Sequence, residues 1–179
     1  MTYTDTLERR AAALEIRAKG RRLEGYAAVF GTRARVADFE EEIRSGAFAA
    51  SLTEGDKLAL VDHDPTKLLG RTRNGSLRLS EDSRGLAFEV TLPKTTLAND
   101  VLALAESGSI GGASFGFVAK RDKWTGSLRT LEEIDLREVS VVTSWPAYEG
   151  TSVSARSLQL SQRTIYHRRL SLLELGAGR

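Results

Sequence analysis

Gly85-Leu86-Ala87-Phe88-Glu89-Val90-Thr91-Leu92 alternates large apolar residues with small or polar ones. That period of two marks a half-buried β-strand. The same grammar extends outward on both sides. Upstream, Ser76-Leu77-Arg78-Leu79 and Leu68-Leu69-Gly70-Arg71 read as strands around Asn74-Gly75, a strong hairpin signal. Lys57 to Val61 reads as a strand, and Glu40 to Arg44 as a short one. Between them Ser45 is placed to cap a brief helix, Gly46 to Leu52. Further back, Leu14 to Arg17 and Arg21 to Phe30 flank a turn at Lys19-Gly20 and predict a hairpin.

Downstream, Thr96 to Ser107 carries Leu97, Val101, Leu102, Leu104 and Ala105 at helical spacing, with Gly108 suited to its C-terminal end. Ala113 to Ala119, Leu128 to Ile134 and Leu136 to Val142 read as three strands, with a last short one near Val153. Many short strands and few helices predict a mainly β (α+β) fold: a closed antiparallel β-barrel flanked by a few helices. Three regions follow: a polar lead over 1–12 without clear period, a body over 13–156 and a basic tail over 157–179. The tail holds Arg163, Arg168, Arg169 and Arg179 against one acid, Glu174, and has helical spacing from Arg163 to Leu175.

The chain has 179 residues, enough for one domain with a sizeable core. Its net charge of +2 gives little whole-molecule attraction to nucleic acid, and the body lacks clustered aromatics for base stacking. There is no cysteine, which excludes disulfides, thiolate zinc sites and a cysteine nucleophile. No run approaches the roughly 18 apolar residues of a membrane helix, and the first ten residues lack the apolar centre of a secretory signal. A cytosolic protein is expected, with no cofactor.

Two segments carry chemistry. Val61-Asp62-His63-Asp64 holds one of two histidines, and Gly111-Gly112-Ala113-Ser114-Phe115-Gly116-Phe117 puts a serine in a strand just after two glycines. A serine hydroxyl holds its proton tightly at neutral pH and attacks well only when an adjacent base accepts that proton; imidazole, titrating near 6.5, suits the task. Ser114 is the candidate nucleophile and His63 the candidate base. A third group orients such a base. Glu138, Asp62 and Asp64 are the candidates, and Glu138 is preferred because a carboxylate in so apolar a run needs a partner. It shares a strand face with Ser140 and Val142. Oxyanion donors are the Gly111 and Gly112 amides or the loop after Val142.

Taken singly, each feature has a structural reading. A serine in a strand is usually only structural, a histidine between two aspartates usually lies at the surface, and Glu138 has Arg71, Arg73 and Arg137 as possible ion-pair partners. A metal at Asp62, His63 and Asp64 is disfavoured without cysteine or a second nearby histidine, so no metal site is expected. His167 belongs to the tail.

The ordered set of segments resembles the HK97-type prohead proteases of tailed bacteriophages. It runs from Glu24-Gly25-Tyr26-Ala27-Ala28-Val29-Phe30 and Ile43-Arg44-Ser45-Gly46-Ala47-Phe48 through Asp62-His63-Asp64 and Leu69-Gly70-Arg71. Gly85-Leu86, Ser107-Gly108-Ser109-Ile110 and Gly112 to Phe117 follow, then Leu136 to Val142 and Pro146-Ala147-Tyr148. The resemblance implies a serine endopeptidase with a fold like the herpesvirus assembly protease, with His63 and Ser114 at its catalytic positions and Glu138, in the family's Glu-Val-Ser segment, as third member, a His63–Ser114 dyad being the alternative. The herpesvirus enzymes use a second histidine where this chain has none.

The resemblance further implies processing of a scaffolding segment of the major capsid protein, and of the enzyme itself, during procapsid maturation of a phage, prophage or gene transfer agent. It also implies a homo-oligomer, such as a dimer, made in the bacterial cytoplasm and packaged inside the procapsid, without membrane or specific nucleic-acid partners. The competing expectation is a non-catalytic capsid assembly or scaffolding protein on the same fold, working through its basic tail.

Overall fold

The structure is a computed structural model and describes residues 6–12 and 16–143. In chain order its strands begin with β1 (Glu8–Ala12), β2 (Ile16–Lys19), β3 (Arg22–Val29), β4 (Ala34–Val36) and β5 (Phe39–Ile43). Helix α1 (Ala49–Leu52) precedes β6 (Leu58–Val61) and β7 (Asp64–Arg71). A 3-10 turn at Thr72–Asn74 leads to β8 (Leu77–Glu81) and β9 (Gly85–Thr91). Helix α2 (Thr96–Glu106) and the long strands β10 (Gly112–Thr125) and β11 (Leu128–Val142) complete the described chain.

The fold is mainly β, as the alternation predicts, but the described strands form two open sheets rather than a closed barrel. One has seven strands: β1-β10-β11-β5-β4 in order, with β6 on β11 and β7 on β6. The other has four, β2-β3-β9-β8. Nor is the pairing wholly antiparallel. β11 runs parallel to β5 through Leu128–Leu131 and parallel to β6 through Glu138–Val141. One long strand thus holds two short neighbours in succession along the same edge, and the sheet branches there instead of curling shut.

The elements follow from local chemistry. β2 and β3 form the expected hairpin, with Gly20 at φ +60 in the turn. The Thr95 hydroxyl accepts from Ala98 N–H and caps α2, whose Ala98 and Val101 are buried. Ser45 caps nothing: α1 starts later, after Phe48, without a side-chain cap. Asn74-Gly75 makes a turn but not a hairpin. Gly75 at φ +72 ends the 3-10 turn, and the chain crosses from the larger sheet into the smaller. The segment read as two strands from Leu128 is one, β11, because Asp135 stays in the ladder opposite Val118 and pairs with Arg137 at 2.9 Å.

The core lies between the sheets. Leu23, Leu69, Leu77, Leu86, Val90 and Val101 meet Phe48, Phe117, Leu131, Ile134 and Leu136, all essentially without solvent contact. Phe115 packs edge-on against Phe48 at 5.5 Å and stacks on Phe117 at 5.1 Å. These phenylalanines take one face of β10. Ser114 and Gly116 therefore take the other.

Residues 8–12, read from the sequence as part of an aperiodic lead, form β1 on the outer edge of β10. The loop at 144–148, the strand near Val153, the helical tail and His167 lie outside the described residues.

Candidate active site

β6 and β7 are joined by only Asp62 and His63, with Val61 paired to Asp64. Both residues adopt left-handed backbone, φ 50 and φ 60. A two-residue loop of this hand matches the twist of its strands, and glycine is the residue usually found at its second position. A side chain there costs roughly 1–2 kcal/mol per residue. Five hydrogen bonds hold the turn. Asp62 N–H donates to Val141 carbonyl at 3.0 Å, and the Asp62 carboxylate accepts from Thr143 N–H at 2.9 Å and Thr143 hydroxyl at 2.6 Å. His63 N–H donates to Ser140 Oγ at 3.2 Å, and His63 Nδ1 lies 2.5 Å from Glu138 Oε1. Three of these involve a carboxylate, and such bonds contribute about 1.5–3 kcal/mol each, so they outweigh the backbone strain. Backbone held in a disfavoured region by over-determined contacts is a feature of functional sites.

Glu138 is 7% exposed and fully engaged. Ser140 hydroxyl donates to its Oε2 at 2.6 Å while His63 takes Oε1. A carboxylate can only accept, so Nδ1 carries the proton and Nε2 is left as the basic nitrogen. The parallel pairing of β6 with β11 makes this contact, setting Val61 against Val141 just before the turn.

Ser114 lies one strand further along, directly opposite Ser140 on β11. Such partners have Cβ atoms about 4.5–5.5 Å apart, so Ser114 shares a face with the Glu138–Ser140–His63 chain. It is fully buried. Its hydroxyl does not point its proton at the imidazole: it donates to the Arg10 carbonyl of β1 at 2.6 Å. The structure thus joins His63 to Glu138 and sets Ser114 beside them with its proton engaged elsewhere. Asp64 turns away to Thr66 and Lys67, and Asp62 to Thr143. Gly111 N–H is engaged by Val142 carbonyl at 2.9 Å, and Gly112 pairs with Val142 at the start of the β10–β11 ladder.

Two contributors were not singled out from sequence. Ser140 bridges Glu138 and His63. Gly116 faces Glu138 across the ladder, and a Cβ there would overlap Oε1 and lie 3.1 Å from Cδ. Only register shows either role. Among the described residues no group of three or more His, Asp or Glu side chains is arranged to hold a metal, and no helix is long and apolar enough to cross a membrane. A surface concavity over the outer face of the smaller sheet, lined by Tyr26, Arg78 and Phe88 among others, involves none of these site residues.

The family model of the caudovirus prohead serine proteases matches residues 6–164, and the chain belongs to that family. It is therefore a serine protease of the capsid-maturation class. Among solved structures, the bacteriophage T4 capsid assembly protease, gp21, is similar in fold, with a TM-score of 0.54 at 12% identity over 77% of this chain and 98% of that one. No curated protein matches the sequence.

Proposed function

We propose that the chain is an endopeptidase with Ser114 as nucleophile, His63 as general base and Glu138 as the group that orients the imidazole. The observation that carries this is the 2.5 Å contact between His63 Nδ1 and Glu138 Oε1, made by a histidine held in left-handed backbone on the same sheet face as Ser114. Ser114 Oγ attacks the peptide carbonyl carbon as Nε2 takes its proton. The C–N bond then breaks, and the imidazolium gives that proton to the departing amine. Water attacks the acyl ester by the same route and restores the serine. Glu138 stabilises the transient imidazolium.

The substrates under this reading are the scaffolding segment of the major capsid protein and the enzyme itself. The setting is the bacterial cytoplasm and then the procapsid, with the enzyme as a homo-oligomer. Family membership supports the class of substrate. A pure scaffold has no use for an imidazole held in left-handed backbone against a buried carboxylate, which favours the enzyme over the assembly protein. Co-expression with the capsid protein of the same gene cluster, with new N-termini read by mass spectrometry, tests it. Ser114→Ala and His63→Ala abolish cleavage while retaining the folded β-sheet signal by circular dichroism; normal cleavage by either variant overturns the assignment.

A further inference from the structure

β1 lies antiparallel on the free edge of β10, opposite Ser114, in the manner of a bound peptide. The register sets Glu8 against Phe117, Arg10 against Phe115 and Ala11 against Ser114. The residue whose carbonyl meets the Ser114 hydroxyl is Arg10. Strand addition of this kind takes affinity from the main chain and specificity from alternate side chains.

The alternate side chains here have built receptors. Arg10 makes a fork with Glu41, Nε to Oε1 at 2.6 Å and Nη2 to Oε2 at 2.8 Å, and its guanidinium lies 5.3 Å from the centre of the Phe117 ring. Glu41 is 3% exposed. Glu8 takes two bonds from Arg129, at 2.7 and 2.9 Å, and Arg129 is fixed in turn by Asp122 at 2.6 Å and Glu41 at 3.1 Å. An acid and an arginine two residues apart are thus read by a buried arginine and a buried glutamate, and forks of this geometry are selective for arginine over lysine. The opposite face fits less well. Arg9 lies against Gly116, and its buried Nε has no hydrogen-bond partner among the described residues. An orphaned buried donor disfavours this occupant, as expected of a strand that gives way to a better one.

Resting on the endopeptidase reading of Ser114, we infer that the outer edge of β10 is the peptide-binding site, that β1 occupies it in the resting chain, and that the preferred substrate is an extended segment of pattern acid–any–arginine–small, with the arginine carbonyl presented to Ser114.

The test separates binding from chemistry. The probe is a fluorescent peptide with the sequence of residues 6–13, Thr-Leu-Glu-Arg-Arg-Ala-Ala-Ala, and its control replaces the glutamate and the second arginine by alanine. Binding is measured to full-length Ser114→Ala and to full-length Ser114→Ala carrying Arg10→Glu, which loosens β1; Arg10→Gln serves if Arg10→Glu fails to fold. The loosened chain binds the probe at least tenfold more tightly than its parent and tenfold more tightly than it binds the control. Equal binding in either comparison, by a chain shown to be folded, overturns the inference. If the probe binds as expected but the unmodified protein and its Arg10 variant cut no peptide, the endopeptidase reading fails and the edge site stands.

Discussion

Gly116 and Glu138 face each other across the β10–β11 ladder, and the missing side chain of the first is the space occupied by the carboxylate of the second. A flexible side chain usually moves aside at little cost. This one is pinned by Ser140 at 2.6 Å and His63 at 2.5 Å. Gly116→Ala therefore folds but drives Glu138 off the imidazole. The expected result is a loss of at least a hundredfold in kcat with KM little changed. Unaltered kcat in a soluble variant contradicts the proposed role of Glu138.

Glu138→Gln keeps the shape and removes the charge that, in the proposed mechanism, stabilises imidazolium. A serine triad whose acid is replaced by the amide loses roughly 10⁴ in kcat while other sources of rate enhancement survive. Single-turnover cleavage of a capsid-derived peptide measures it. A variant that unfolds instead marks Glu138 as a structural ion-pair partner.

Ser140→Ala strips Glu138 of one donor and His63 N–H of its acceptor. Leaving buried polar groups unpaired costs about 1–3 kcal/mol, and for a chain of this size each kcal/mol is roughly 2–4 °C in Tm. Calorimetry then shows a fall of several degrees together with reduced activity. A stability loss without any change in turnover assigns Ser140 a purely structural part.

The docking of β1 responds to acid. Burial pushes the Glu8 carboxyl up, but the hydrogen bond from Arg129 and the charges of Arg10 and Arg129 pull it down further, so its net shift is below the ordinary 4.5. The charged form is favoured by folding. Its contribution is complete above the ordinary value and disappears as pH falls through the lower folded one. In urea titrations the stability gap between the native chain and Glu8→Gln stays constant from about pH 8 to pH 5 and narrows below 4.5. A gap unchanged down to pH 3 rules this linkage out.

How far the sequence could be read depends on what each strand buries. β3 and β9 bury one apolar face, so alternation reveals them, and α2 announces itself through the spacing of Leu97, Val101 and Leu104 and through Gly108 past its end. β1 buries charges matched by other charges, Glu8 to Arg129 and Arg10 to Glu41, and no hydropathy period records that. Asp135 looked like a break in β11 because its partners, Lys57 and Lys120 besides Arg137, come from distant parts of the chain. Glu138 was visible as a carboxylate in an apolar run, where it needs a partner. Ser140 and Gly116 were not, since their roles exist only in register. The left-handed turn at Asp62 and His63 hid for a related reason: neither residue is the glycine that such turns advertise.

The parallel join of β6 to β11 links residues 58–61 with 138–141, so the histidine waits for a strand translated nearly eighty positions later. Contacts of such sequence separation form late. With the proposed roles of Ser114 and His63, a nascent polypeptide still on the ribosome thus holds a serine-bearing strand without a completed proton acceptor beside it. Under that reading, competence to cut arrives only after β11 has emerged, and the order of synthesis itself protects the newborn chain from its own chemistry.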